Sequence, residues 1–174
     1  MTEPAVYDFK DWILSVTDFP KPGIVFRDIT PVLASAYRFR CVLTDLAKVL
    51  DLDACEGVAG VESRGFILGA ALAALAGKGF IPIRKRGKLP PPVECQSYTL
   101  EYGAGALEVK RGGGRVVVID DVLATGGTMG AAIDVCTKAG YQVQDAAVLI
   151  DLTYLNQFRW GDGQKVKSLA EYNS

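Results

Sequence analysis

The residues best suited to chemistry lie between Val116 and Ala132, which read VVVIDDVLATGGTMGAA. An aliphatic run ends in two adjacent carboxylates, Asp120 and Asp121, and a loop of Ala124, Thr125, Gly126, Gly127 and Thr128 follows. Glycines without a Cβ let successive backbone N–H groups close around an anion, and threonine hydroxyls add donors. A helix opening here would aim its positive end at the same spot. The two acids do not belong on a phosphate, because like charges repel. They suit sugar hydroxyls, or a cation held through water, and a sugar phosphate meets both demands. T-G-G-T alone would read as a glycine turn; the full series of strand, acid pair, loop and helix points to a ligand. The P-loop pattern G-x-x-x-x-G-K-[ST] and a G-x-G-x-x-G after a strand are both missing, which removes two other phosphate-binding readings.

Two further stretches could meet an anion. Glu62-Ser63-Arg64-Gly65 follows a short apolar run and opens another, so Ser63 is either a helix N-cap or, with Arg64, a second anion grip. Arg84, Lys85, Arg86 and Lys88 form a dense basic run, read as a solvated loop or as a clamp for a polyanion. The chain has no histidine, so a Ser-His-Asp triad, a Cys-His pair and a His-ligated zinc are excluded. Proton transfer falls to a carboxylate, Tyr, Lys or Cys.

The elements that must position these residues follow from the hydrophobic pattern. At 174 residues, 49% hydrophobic and 22% charged, the chain suits a single domain, residues 1–174. Val6, Phe9, Ile13 and Val16 recur at helical spacing and predict an amphipathic helix ending before Pro20. A second helix is predicted over Tyr37–Leu50, then strand Gly57–Val61, helix Arg64–Ala76 and strand Phe80–Ile83. Strand Arg115–Ile119, helix Thr128–Ala139 closed by Gly140, and strand Val143–Ile150 complete the series. Uninterrupted aliphatic strands alternating with helices predict an α/β fold, an open and mainly parallel sheet covered on both faces. Lys85–Gly105 reads as an exposed, basic, proline-rich arm.

Composition excludes several classes. A net charge of -1 argues against a general nucleic-acid coat. The four cysteines are scattered, so neither a zinc knuckle nor a redox pair is read. Met1–Lys10 is acidic without an apolar core, and the apolar run Phe66–Gly77 is too short to span a bilayer. A soluble, cytoplasmic protein with no membrane or nucleic-acid partner is expected.

The Val116–Ala132 string resembles the phosphoribosyl-diphosphate (PRPP) motif of the type I phosphoribosyltransferases. FPKPGIVFRDITPVL (Phe19–Leu33), GVESRGFILGAAL (Gly60–Leu72), IRKRGKLP (Ile83–Pro90) and SYTLEYG (Ser97–Gly103) are similar to the adenine-specific branch of that family, in order from Phe19 to Leu155. The resemblance implies the type I fold, with an N-terminal base-binding hood over 1–34, a flexible catalytic loop over 85–105 and the PRPP motif over 116–132. It implies transfer of a phosphoribosyl group from PRPP to N9 of adenine, giving AMP and pyrophosphate in purine salvage, with Mg²⁺ carried by PRPP. Ala124 to Thr128 would hold the 5′-phosphate, and Asp120 and Asp121 the ribose, with Mg²⁺ linked at one remove. Ser63, Arg64, Lys85, Lys88 and Tyr102 would face the pyrophosphate, and Glu101 would serve as general acid and base near purine N7. The backbone of Val25 would read the adenine amine edge, with Phe26 stacking, Arg27 reaching N3 and Leu152 on the far side of the base. Without the resemblance, Phe26 reads equally as packing and Arg27 as a salt bridge. A homodimer is also implied. Two alternatives stay open: transfer to guanine or orotate, and a PRPP-sensing regulator without chemistry.

Overall fold

A computed structural model describes residues 7–100 and 103–174. Its chain order begins with a short 3-10 turn (Phe9–Trp12), β1 (Leu14–Thr17), β2 (Val25–Asp28), α1 (Thr30–Leu33) and α2 (Ala36–Val49). β3 (Gly57–Val61), α3 (Arg64–Ala76), β4 (Gly79–Lys85), β5 (Val93–Leu100) and β6 (Gly103–Lys110) follow. β7 (Arg115–Leu123), α4 (Gly127–Lys138), β8 (Gln142–Leu152) and β9 (Lys167–Tyr172) close the series.

The main sheet has seven strands in the order β5-β6-β4-β3-β7-β8-β9. β4, β3, β7, β8 and β9 pair in parallel, and the β5–β6 hairpin joins the β4 edge antiparallel. β7 shows why the aliphatic runs are unbroken. Val117 and Ile119 enter one apolar cluster with Leu68 and Leu72 of α3, while Val118 enters another with Met129, Ala132 and Val135 of α4. Both faces are therefore covered, as parallel strands require. Among the described residues no helix is long and apolar enough to cross a membrane.

The helix predicted over the first segment does not form. Phe9 and Ile13 are buried, but from a 3-10 turn capped by Asp8, whose carboxylate accepts from Lys10 N at 2.9 Å. The chain then extends into β1, which pairs antiparallel with β2 as a separate two-stranded sheet. The i, i+4 spacing of Phe9 and Ile13 is met equally by a tight turn running into a strand. The stretch Ile13, Ser15, Val16, Thr17 is rich in residues that lose side-chain freedom or compete for backbone bonds in a helix. Trp12 of this turn packs against Tyr7, Phe9 and Tyr37 in an aromatic cluster.

Of the arm expected over 85–105, the described residues form a turn followed by the antiparallel β5–β6 pair, from Val93 with Lys110 to Leu100 with Gly103. β7 also runs further than its predicted end at Ile119. It continues to Leu123, so both aspartates lie inside a hydrogen-bonded strand.

Candidate active site

The cradle is built where β7 hands over to α4. Gly126 takes φ +90°, at the N-cap of α4, and no side chain caps that helix. Its first N–H groups are thus left facing a cavity of about 130 Å³, lined by Asp120 and residues 122–129. A Cβ on Gly126 would meet the Phe158 ring at 2.6 Å, so the turn is backed by an aromatic wedge. Trp160 follows two residues later and packs with the α4 face of the core. Phe158 has no signal in the sequence, since it reaches the turn from the irregular segment between β8 and β9.

Asp120 and Asp121 are buried beside this turn, at 8% and 4% exposure. Asp120 Oδ1 accepts the Asp121 N–H at 2.9 Å. Burial, with the charge of Asp121 next to it, pushes Asp120 well above the ordinary carboxylate range. Burial raises Asp121 as well, against the pull of the Arg64 guanidinium. Arg64 Nη2 stands 2.9 Å from Asp121 Oδ2, yet that buried oxygen receives no aligned hydrogen bond. Such a pair resists two negative charges in a dry place and favours a hydroxyl donor or a hydrated cation. The acids therefore fit ribose hydroxyls, or a divalent ion at one remove. Among the described residues no group of three His, Cys, Asp or Glu side chains converges to form a cation cage.

Close packing brings the Ser63–Gly65 loop to the Gly126 turn. A Cβ on Gly65 would lie 2.8 Å from Asp120 Oδ1 and 2.9 Å from the Ile119 carbonyl. Only glycine lets the start of α3 come this near β7, which sets Ser63 and Arg64 beside the acid pair. Ser63 occupies the N-cap position, but its exposed hydroxyl makes no capping bond, so the capping alternative is not realised. Arg64 reaches both ways: to Asp121, and to β2, where its guanidinium lies 4.9 Å from the Phe26 ring centroid.

In the N-terminal two-stranded sheet, β2 sets Val25, Phe26 and Arg27 in register with Thr17, Val16 and Ser15. Phe26 packs edge-on against Phe19. Arg27 is turned toward the Ser15 hydroxyl and the Ser174 carbonyl, and lies 3.8 Å over the Tyr172 ring of β9. The salt-bridge alternative for Arg27 is thus replaced by hydroxyl, carbonyl and aromatic partners. Leu152 is buried at the end of β8, in the apolar cluster that Ile29 and Val32 also enter. Lys85 and Lys88 present exposed side chains, whereas Arg84 turns back to Glu62 at 3.3 Å. Glu101 and Tyr102 lie outside the described residues.

The fold and this site define a phosphoribosyl-transferring class, and comparison with known proteins agrees. A family model described as the phosphoribosyl transferase domain matches residues 56–155. The adenine phosphoribosyltransferase of Bdellovibrio bacteriovorus is 54% identical, over 95% of this chain and 99% of its own. The crystal structure of adenine phosphoribosyltransferase from Rhodothermus marinus superposes with a TM-score of 0.85 at 42% identity, covering 94% of this chain and 96% of that one. The Trypanosoma brucei adenine phosphoribosyl transferase, solved with AMP, pyrophosphate and ribose-5-phosphate, gives a TM-score of 0.80 at 26% identity, covering 94% of this chain and 78% of that one. The chain belongs to the phosphoribosyltransferase family, in its adenine phosphoribosyltransferase branch.

Proposed function

We propose that this chain transfers the 5-phosphoribosyl group of PRPP to N9 of adenine, releasing AMP and pyrophosphate. The observation that carries the reading is the uncapped turn at the head of α4 set beside a buried acid pair with an unsatisfied oxygen. Ala124, Thr125, Gly126, Gly127 and Thr128 hold the 5′-phosphate on N–H and hydroxyl donors. Asp120 and Asp121 accept from the ribose hydroxyls. Ser63, Arg64, Lys85, Lys88 and Tyr102 face the diphosphate, where positive charge favours the departing oxygen. The Val25 backbone reads the adenine amine edge, with Phe26 on its face, Arg27 toward N3 and Leu152 behind.

In the reaction the bond from C1′ to the diphosphate oxygen breaks, and its electron pair leaves with pyrophosphate. The lone pair of adenine N9 forms the new bond on the opposite face, and the proton on N7 passes to Glu101. Charge on the sugar in the transition state resembles that in glycoside chemistry. Mg²⁺ brought in with PRPP would supply charge neutralisation to the leaving diphosphate, and Asp120 and Asp121 are the residues that would hold it at one remove. Residues 85–105 act as a lid that keeps water from the sugar cation, and residues 1–34 act as the hood over the base. The protein works in the cytoplasm as a homodimer.

The test is AMP formation from adenine, PRPP and Mg²⁺, with each omitted in turn, and with hypoxanthine, guanine and orotate offered in place of adenine. AMP that depends on all three components, with adenine preferred, is the expected result. Preference for another base, or PRPP binding without turnover of any base, would overturn it.

A further inference from the structure

Glu108 is a carboxylate buried at 3% exposure in β6, away from the reacting groups, opposite Arg84 of β4 and Cys95 of β5. A charge in that position must be satisfied locally. It is satisfied by three successive N–H groups of the turn after β4: Gly87 at 2.9 Å on Oε2, and Lys88 and Leu89 at 2.6 Å each on Oε1. Burial works to raise this carboxyl, and the backbone donors from Gly87, Leu89 and Lys88 outweigh it, holding the group below its ordinary range. Gly87 takes φ +84°, the left-handed conformation that lets neighbouring N–H groups converge.

The same turn is tied from two other sides. Arg84 Nη1 donates to the Lys88 carbonyl at 3.2 Å, and Lys110 Nζ donates to the carbonyls of Pro90 and Pro91. The side chains of Lys85, Arg86 and Lys88 meanwhile stay exposed. The protein's own carboxylate fills the hollow of convergent amides, and the cations project from its outer surface.

We infer that Glu108 is a positioning residue for the diphosphate end of PRPP, acting by fixing the turn that presents Lys88. The inference rests on the proposed reading that Lys85 and Lys88 face the diphosphate. A lysine on an unanchored turn must order that backbone when the anion arrives, and a pre-set turn avoids the loss.

Glu108→Gln keeps the shape but opposes an amide N–H₂ to one of the three donors. Losing one charge-assisted bond of this kind should raise the PRPP KM about tenfold. The inhibition constant of pyrophosphate should rise in parallel, with the adenine KM unchanged and the melting temperature lowered by the unsatisfied buried donor. Lys88→Ala should also raise the PRPP KM, and the double variant should bind PRPP no more weakly than Lys88→Ala alone. Lys110→Met loosens the turn from another side, and should raise the PRPP KM in the same selective way even if Glu108→Gln folds poorly. An unchanged PRPP KM in both turn variants, an equal rise for adenine, or additive effects with Lys88→Ala would overturn the inference. A silent Lys88→Ala in an enzyme that still makes AMP would instead locate the error in the diphosphate assignment of Lys88, and the inference would fall with it.

Discussion

Gly126 meets two requirements at once, a left-handed φ of +90° and a ring pressed against the place where a Cβ would stand. Left-handed backbone costs about 1–2 kcal/mol for a residue with a side chain. Forcing extra volume into a packed site costs about 1–3 kcal/mol more. Gly126→Ala should therefore lower the melting temperature, by about 2–4 °C for each kcal/mol in a chain of this size. It should also raise the PRPP KM, because the N–H groups at the head of α4 move with the turn. Adding Phe158→Ala to that variant removes the clash and leaves the φ penalty, so thermal melts of the single and double variants separate the two causes. Equal melting temperatures for wild type and Gly126→Ala would show that the turn is not held as described. Phe158 also marks where residue-level reading of the sequence stops. Thr125 to Thr128 announce an anion turn by type alone, whereas a phenylalanine in a stretch without pattern announces nothing until the segment between β8 and β9 brings it behind Gly126.

At the level of elements, α3 is placed by the absence of a side chain at Gly65, which lets its first turn touch Asp120 and the Ile119 carbonyl. Gly65→Ala would have to push helix and strand apart, since the nearest neighbours include backbone that cannot turn aside. The expected cost is about 1–3 kcal/mol of stability. A loss of activity larger than the stability change explains should accompany it, because Arg64 and Asp121 separate. Calorimetric melting and initial rates on the same preparation check both parts. Elements of this kind were legible where one physical cause dominates. β3, α3, β4, α4 and β8 are mostly apolar, α3 and α4 closing at Gly77 and Ala139–Gly140, and they form within a few residues of the predicted bounds. The first segment was not legible, because a spacing of four serves a helix and also a 3-10 turn entering a strand. The role of Glu108 was hidden for a different reason. Its partners lie on the turn after β4, and nothing near it in the chain distinguishes it from a solvated acid on a strand.

For the molecule as a whole, burying two adjacent carboxylates sets stability against function. Asp120 has its proton affinity raised by burial and by Asp121, so its contribution to stability is fully present below the ordinary carboxylate range. That contribution is lost as pH rises toward and through its folded-state value. Asp120→Asn keeps an oxygen for the Asp121 N–H and removes the charge. The variant should melt higher than the wild type at pH 8, with the gap narrowing as pH falls toward 4, while its PRPP KM rises. A gap that widens on acidification would contradict this account of the acid pair. The two tryptophans of the chain are placed far apart in the sequence, Trp12 in the N-terminal aromatic cluster with Tyr7 and Trp160 two residues after Phe158, which backs the Gly126 turn. Replacing either one by phenylalanine leaves a single indole emitter, so fluorescence from the two variants can report the N-terminal cluster and the segment behind Gly126 as separate signals when adenine or PRPP is added.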